Sequence, residues 1–100
     1  MRKIAKIDHN QSTIVAQLRQ LANVTVQSLA PIGNGCPDIL VGIEKDKQKQ
    51  NFLFEIKNPN QPPCKRKLTD DEKEWHETWH GQVNTVESVD EILQIIGVTK

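Results

Sequence analysis

Gly33-Asn34-Gly35-Cys36-Pro37-Asp38-Ile39-Leu40-Val41-Gly42, answered seventeen residues beyond Asp38 by Phe54-Glu55-Ile56-Lys57, is the part of this chain whose reading decides the fold. A strand turns successive side chains to opposite faces, so Glu55 and Lys57 share one face while Phe54 and Ile56 take the other. Between two strand-like runs, Asp38 to Glu44 and Asn51 to Lys57, lies Lys45-Asp46-Lys47-Gln48-Lys49-Gln50, which is too polar to bury and suits a hairpin connection. Antiparallel pairing sets the start of the first run beside the end of the second. Asp38 then falls within a residue or two of Glu55 or Lys57, on a face that it shares with Leu40 and Gly42. Two carboxylates about 5 Å apart repel by about 3 kcal/mol at an effective dielectric of about 20, so something must offset their charge. A hard divalent cation would do so, with Lys57 as a further positive group, and Mg²⁺ binds through one or two carboxylates together with water and phosphate. The plainer reading is a surface Asp after a proline and a strand-end Glu paired with Lys, since Glu-x-Lys often arises by chance.

One hundred residues are expected to form a single domain, 1–100, with a modest core. Thirteen basic and thirteen acidic residues cancel, so no global field draws the chain to nucleic acid or membrane and any such attraction must be local. Charge is segregated along the sequence. Lys57, Lys65, Arg66 and Lys67 follow the second strand, whereas Asp70, Asp71, Glu72, Glu74 and Glu77 dominate the next segment. No apolar run approaches membrane-spanning length, and Met-Arg-Lys at the start lacks the apolar stretch of a signal peptide, so a soluble cytoplasmic protein with no membrane partner is expected. Cys36 and Cys64 are too few for a disulfide framework and lack zinc-site spacing, which favours reduced thiols.

Ile14, Val15, Leu18, Leu21 and Ala22 recur at helical spacing after Asp8 and Asn10 as possible caps, predicting an amphipathic helix from about residue 9 to 22. Val24-Thr25-Val26-Gln27-Ser28-Leu29 suits a strand ended by Pro31 and the loop glycines. After the hairpin, the three prolines of Asn58-Pro59-Asn60-Gln61-Pro62-Pro63 predict a stiff exposed loop that neither continues a strand nor enters a helix. Thr69 with Glu72 has the form of a capping box, opening a helix that carries Trp75 and Trp79 and stops at Gly81. Val83 to Val86 is a short strand candidate, and Ser88 caps a last helix bearing Val89, Ile92, Leu93, Ile95 and Ile96 before Gly97. The order αβββαβα predicts an α/β fold, a mixed four-stranded sheet flanked by helices, with the last strand joined by a crossover.

His76-Glu77-Thr78-Trp79-His80 is literally H-E-x-x-H, which on a helix sets two zinc-binding imidazoles on one face with a general-base Glu. A zinc peptidase of this kind needs a third ligand, for which Glu87, Asp90 or Glu91 are unmarked candidates, and enough protein to wall a cleft. Gly81 ends the helix at once. The plainer reading makes Trp75 and Trp79 the core face and leaves both histidines near the edge of a surface helix.

The Gly33-to-Asp38 run with its hydrophobic strand, Glu55-Ile56-Lys57, Leu68-Thr69 opening a Trp-bearing helix, and Gly81-x-Val83 together resemble the VRR-NUC branch of the PD-(D/E)xK nucleases. The likeness is to the small stand-alone phage and prophage members, and runs from the first helix through Ser88-Val89-Asp90-Glu91. It implies a restriction-endonuclease-like core that hydrolyses phosphodiester bonds with Mg²⁺ or Mn²⁺, in the cytoplasm of a bacterium or phage-infected cell. By the same resemblance Asp38 and Glu55 would hold the metal, the backbone carbonyl of Ile56 would be a further ligand, and Lys57 would orient or help deprotonate the attacking water. Gln11 stands where relatives often carry a Glu, and Glu72 where they often carry a Gln. For both, capping is the competing role, through Asp8-x-x-Gln11 and Thr69-x-x-Glu72. Lys65, Arg66 and Lys67 are candidate phosphate contacts, which supply affinity and position without reading sequence. The resemblance also implies a homodimer acting on branched DNA such as Holliday junctions. A non-catalytic DNA-binding or assembly module on the same fold is the alternative that the neutral Gln11 keeps open.

Overall fold

The computed structural model of the chain describes residues 9–99. Its elements are α1 (His9–Arg19), β1 (Val24–Ser28), β2 (Ile39–Lys45), β3 (Gln48–Ile56), α2 (Pro63–Arg66), α3 (Asp70–Thr78), β4 (Asn84–Val86) and α4 (Val89–Ile96). The fold is mixed α/β in the expected order, with α2 as one added turn. The four strands make one sheet in the order β1-β2-β3-β4. β1 to β3 pair antiparallel, and β4 joins β3 in parallel after the crossover through α3.

Strand register sorts the side chains. Ile39 lies opposite Phe54, Val41 opposite Phe52 and Val26, and Val86 beside Ile56. These residues, with Val24 and Ile43, turn to one face, where they meet Ile14 and Leu18 of α1 and Val89, Ile92, Leu93 and Ile96 of α4 in a single cluster, buried apart from the half-buried Phe52 and Val26 packed against it. Each side chain buried there contributes about 1.5–3 kcal/mol. The alternate residues Leu40, Gly42, Leu53 and Glu55 turn to the opposite face, against which α3 stands. A groove of about 450 Å³ remains there, lined by Leu40, Leu53, Trp75 and Trp79 among others. The side-chain amide of Gln82 makes two hydrogen bonds with the Leu53 backbone, donating to its carbonyl at 2.8 Å and accepting from its N–H at 2.7 Å. It thereby pairs like a strand residue just ahead of β4.

The start of α3 and both ends of α4 follow their local signals. Thr69 Oγ1 accepts from Glu72 N–H at 3.2 Å while Glu72 Oε1 accepts from Thr69 N–H at 2.8 Å, completing the capping box. Ser88 Oγ accepts from Glu91 N–H at 3.2 Å, and Gly97, left-handed at φ 74°, closes α4.

Four expectations need correction. The proline loop does enter a helix: Pro63 opens α2, because the first helical residue has no use for an amide donor. The hairpin connection is only Asp46-Lys47, both at positive φ (53° and 64°), since the strands run on as exposed ribbons through Lys45 and Gln48. α1 ends at Arg19 and the chain turns through Asn23 at φ 66°, short of Ala22. α3 ends at Thr78 with Trp79 as its C-cap, before Gly81. Asp8 lies outside the described residues. No helix among those described is long and apolar enough to cross a membrane.

Candidate metal centre

Asp38 stands one residue ahead of β2, and the Ile39–Phe54 pairing puts it opposite Glu55. Its backbone is held from both sides: its N–H donates to Phe54 O at 3.0 Å and its carbonyl accepts from Leu29 N–H at 2.9 Å. Its side chain is held too, since Oδ2 accepts from Ile56 N–H at 2.6 Å. The predicted convergence of the two acidic positions is thus met by the register, and both residues are buried.

The loop that delivers Asp38 also delivers α3. Gly33, Asn34 and Gly35 all take positive φ (67°, 56° and 84°). A Cβ on Gly35 would run into the carbonyl of Asp71, so only glycine lets the loop lie against the first turn of α3. That contact carries Glu72, the next residue, toward the centre. Lys57 Nζ lies 2.8 Å from Glu72 Oε1 and 3.5 Å from Glu55 Oε2. The capping and site roles weighed for Glu72 therefore coexist, because the same Oε1 receives the Thr69 amide and the Lys57 ammonium.

Charge is in surplus here: three carboxyls face one ammonium. Burial, then the neighbouring Asp38, pushes the Glu55 carboxyl up to about 10. Burial also raises Asp38, opposed by its contact with Glu55 and by the hydrogen bond from the Ile56 amide. Burial by itself would lower Lys57, but the Glu72 hydrogen bond and the charge of Glu55 outweigh it and the ammonium is raised. Glu72 shows the converse. Its burial is outweighed by Lys57 and the Thr69 amide, which hold it below the usual carboxylate range. Cys36 is a free thiol raised first by burial and then by Glu55 and Asp38, which suppresses the thiolate beside the pair.

Glu55 is 2% exposed and its Oε1 has no hydrogen-bond partner. A buried carboxyl oxygen without a hydrogen-bond partner, facing a second carboxyl, fits a hard cation that takes oxygen ligands and would displace the proton. Among the described residues no group of three or more His, Cys, Asp or Glu side chains is arranged to hold a metal. Asp38 and Glu55 are the two carboxyls that would hold such a cation.

The remaining candidates divide. Gln11 is buried on α1 with its Oε1 unpartnered. Asn10, expected as a cap, lies inside α1, and its Nδ2 donates to the Lys57 carbonyl at 3.1 Å. It fastens the helix to the strand end that carries the site, a role that only the tertiary fold reveals. Ile56 contributes its amide to Asp38. Arg66 pairs with Glu87 at 3.4 Å, whereas Lys65 and Lys67 are exposed. Since Val86 accepts the Lys57 N–H at 2.9 Å, Glu87 and its Arg66 stand beside the centre. His80 lies beyond the end of α3 and is exposed, while His76 is half-buried within it, so the two imidazoles do not share one helical face. The chain matches no family model, no curated protein and no solved structure.

Proposed function

We propose that this chain is a metal-dependent DNA endonuclease on a restriction-endonuclease-like core, hydrolysing phosphodiester bonds at Asp38, Glu55 and Lys57. The observation that carries the reading is the pair of buried, facing carboxyls at the end of β3, one oxygen unbonded, with a lysine ammonium 3.5 Å away. Mg²⁺ or Mn²⁺ bound by Asp38 and Glu55 would lower the pKa of a bound water and offset charge on the phosphate. Asp38 is pre-oriented for this by the Ile56 amide. Lys57, braced by Glu72, presents a fixed positive charge to developing phosphate oxygens and orients the attacking water. Bracing by hydrogen bonds keeps such a group in place as charge moves, which is where most of its effect arises. The test is cleavage of a branched and a linear duplex in Mg²⁺ or Mn²⁺ by the parent, Asp38→Ala and Lys57→Ala. Retained cleavage in the variants would refute the assignment.

The resemblance to small VRR-NUC proteins adds branched DNA as substrate and a homodimer as the working form. A native mass equal to that of the monomer in dilute solution would remove the dimer. Lys65 and Lys67, exposed beside the paired Arg66, are proposed to hold the DNA backbone. Replacing both with Ala should reduce the salt slope of DNA binding by about 2, one unit for each lost phosphate contact. An unchanged slope would take them out of the interface.

A non-catalytic DNA-binding module is the second reading. Gln11 favours it, because a buried neutral amide where relatives often carry a Glu adds no charge toward a metal. It predicts junction binding with no product under either metal.

A further inference from the structure

The groove on the open face is walled by the same two elements as the carboxyl centre. On its floor Leu53 and Leu40 lie two residues from Glu55 and Asp38 in sequence, a rise of about 7 Å, and alternation turns all four to one side. On α3, Trp75 stands three residues beyond Glu72, about 4.5 Å along the helix axis. Cys36, two residues ahead of Asp38, lines the groove as well. Centre and groove are therefore neighbouring lengths of one channel between the sheet and α3.

The lining states what fits. It holds no acidic or basic side chain, so it neither binds a phosphate nor repeats the charge of the centre. Trp79 is 48% exposed and stacked on Trp75, which gives the groove a broad aromatic surface open to solvent. Asn51, exposed and opposite Gly42, which carries no side chain, adds an amide that both donates and accepts. An uncharged flat ring with polar edges matches this set, and a groove of about 450 Å³ lies within the range of small-molecule sites, about 300–1,000 Å³. Such a ring is already attached to any phosphodiester seated at Asp38 and Glu55. In an intact duplex it is held in the base stack and resists extrusion, whereas an unpaired nucleotide is free to leave.

We infer that the groove seats an unpaired nucleobase of the strand whose phosphodiester lies at the carboxyl pair, stacked against Trp79, so that the site selects DNA with an unpaired nucleotide beside the cleaved bond. The inference deepens the nuclease reading proposed above and rests on it.

The experiment measures binding in Mg²⁺ at one fixed salt concentration, in a Glu55→Gln background that blocks the proposed hydrolysis. Two DNAs are compared, a fully paired duplex and the same duplex with a one-nucleotide bulge. The bulged DNA should bind about 5–150-fold more tightly, the range for one base stacked on an aromatic side chain. It should also quench the fluorescence of the chain's two tryptophans, both of which line the groove. Trp79→Ala should abolish the preference without weakening binding to the paired duplex, and Trp79→Phe should keep most of it. Equal binding of the two DNAs, binding of neither, or an undiminished preference in Trp79→Ala overturns the inference. A native mass that falls from dimer to monomer in Trp79→Ala assigns the groove to a second copy of the chain and overturns it too. The two readings fail separately. A parent that cleaves both DNAs at equal rates keeps the nuclease and loses the base seat; one that cleaves neither, yet shows the Trp79-dependent preference, loses hydrolysis and keeps the seat.

Discussion

On one face of the sheet Ile39, Val41, Phe54 and Ile56 disappear beneath α1 and α4; on the other, the residues that alternate with them meet only α3 and an open groove. Both faces come from the same two strands, yet one carries the folding free energy and the other carries buried charge. The buried cluster of the closed face is built from apolar side chains. The open face holds Asp38, Glu55 and Lys57 at one end, where burial of a carboxyl pair costs stability that the apolar face must offset. The contrast teaches where each kind of substitution should act: truncations on the closed face should weaken the fold, and changes on the open face should alter charge while sparing it.

The largest expected effect breaks the closed face. Phe54 is fully buried, and Phe54→Ala should cost about 3–5 kcal/mol in chemical denaturation. A loss below about 1 kcal/mol would mean that this face is not the core. Next comes the loop that ties the two sides together. Gly35→Ala should cost about 2–3 kcal/mol, from its left-handed backbone and the collision with Asp71, and should loosen α3 first in hydrogen exchange.

A smaller effect, of opposite sign, belongs to the open face. Glu55 keeps in the folded chain, up to about pH 10, a proton that an ordinary glutamate carboxyl releases well below neutral pH on unfolding. The folded state therefore binds more protons across that window, and stability falls as pH rises through it. Glu55→Gln stays neutral, so it should gain about 1–2 kcal/mol over the metal-free parent near about pH 8 and flatten the pH profile. A variant less stable than the parent at that pH would mean that Glu55 is ionised and well paired. The smallest effect is at the groove rim. Trp79 is 48% exposed and stacks on Trp75 with ring centroids 4.6 Å apart, so Trp79→Ala should cost about 1 kcal/mol or less. A larger loss would show that the open face contributes more to folding than its packing implies.

Much of the site was legible because its signals are short-range. Alternation puts Asp38 on the face of Glu55 and Lys57 under any antiparallel register that buries Phe54 and Ile56, and the observed register sets it opposite Glu55. The start of α3 and both ends of α4 were likewise written locally, in Thr69 with Glu72 and in Ser88 with Gly97. What escaped depends on tertiary contact or on backbone conformations that no side chain announces. The Asp46-Lys47 turn uses two left-handed residues without glycine. Pro63 opens a helix that the neighbouring prolines argue against. Asn10 looked like a cap until α1 was placed against the Lys57 carbonyl, and Arg66 looked like a free cation until Glu87 stood beside it. The spacing of His76 to His80 suggested zinc, but α3 ends at Thr78 and leaves His80 outside the helix.

The central claim is that the carboxyl pair on the open face hydrolyses DNA with a divalent cation. Its most direct test is a panel of flap, fork, four-way and linear DNA incubated with parent and Glu55→Ala in Mg²⁺ or Mn²⁺. The account predicts metal-dependent products from the parent on at least one substrate and a loss of about 1,000-fold or more in Glu55→Ala, as expected when a group acting on the transition state is removed. Equal cleavage by both proteins, or junction binding by the parent with no product under either metal, would contradict it.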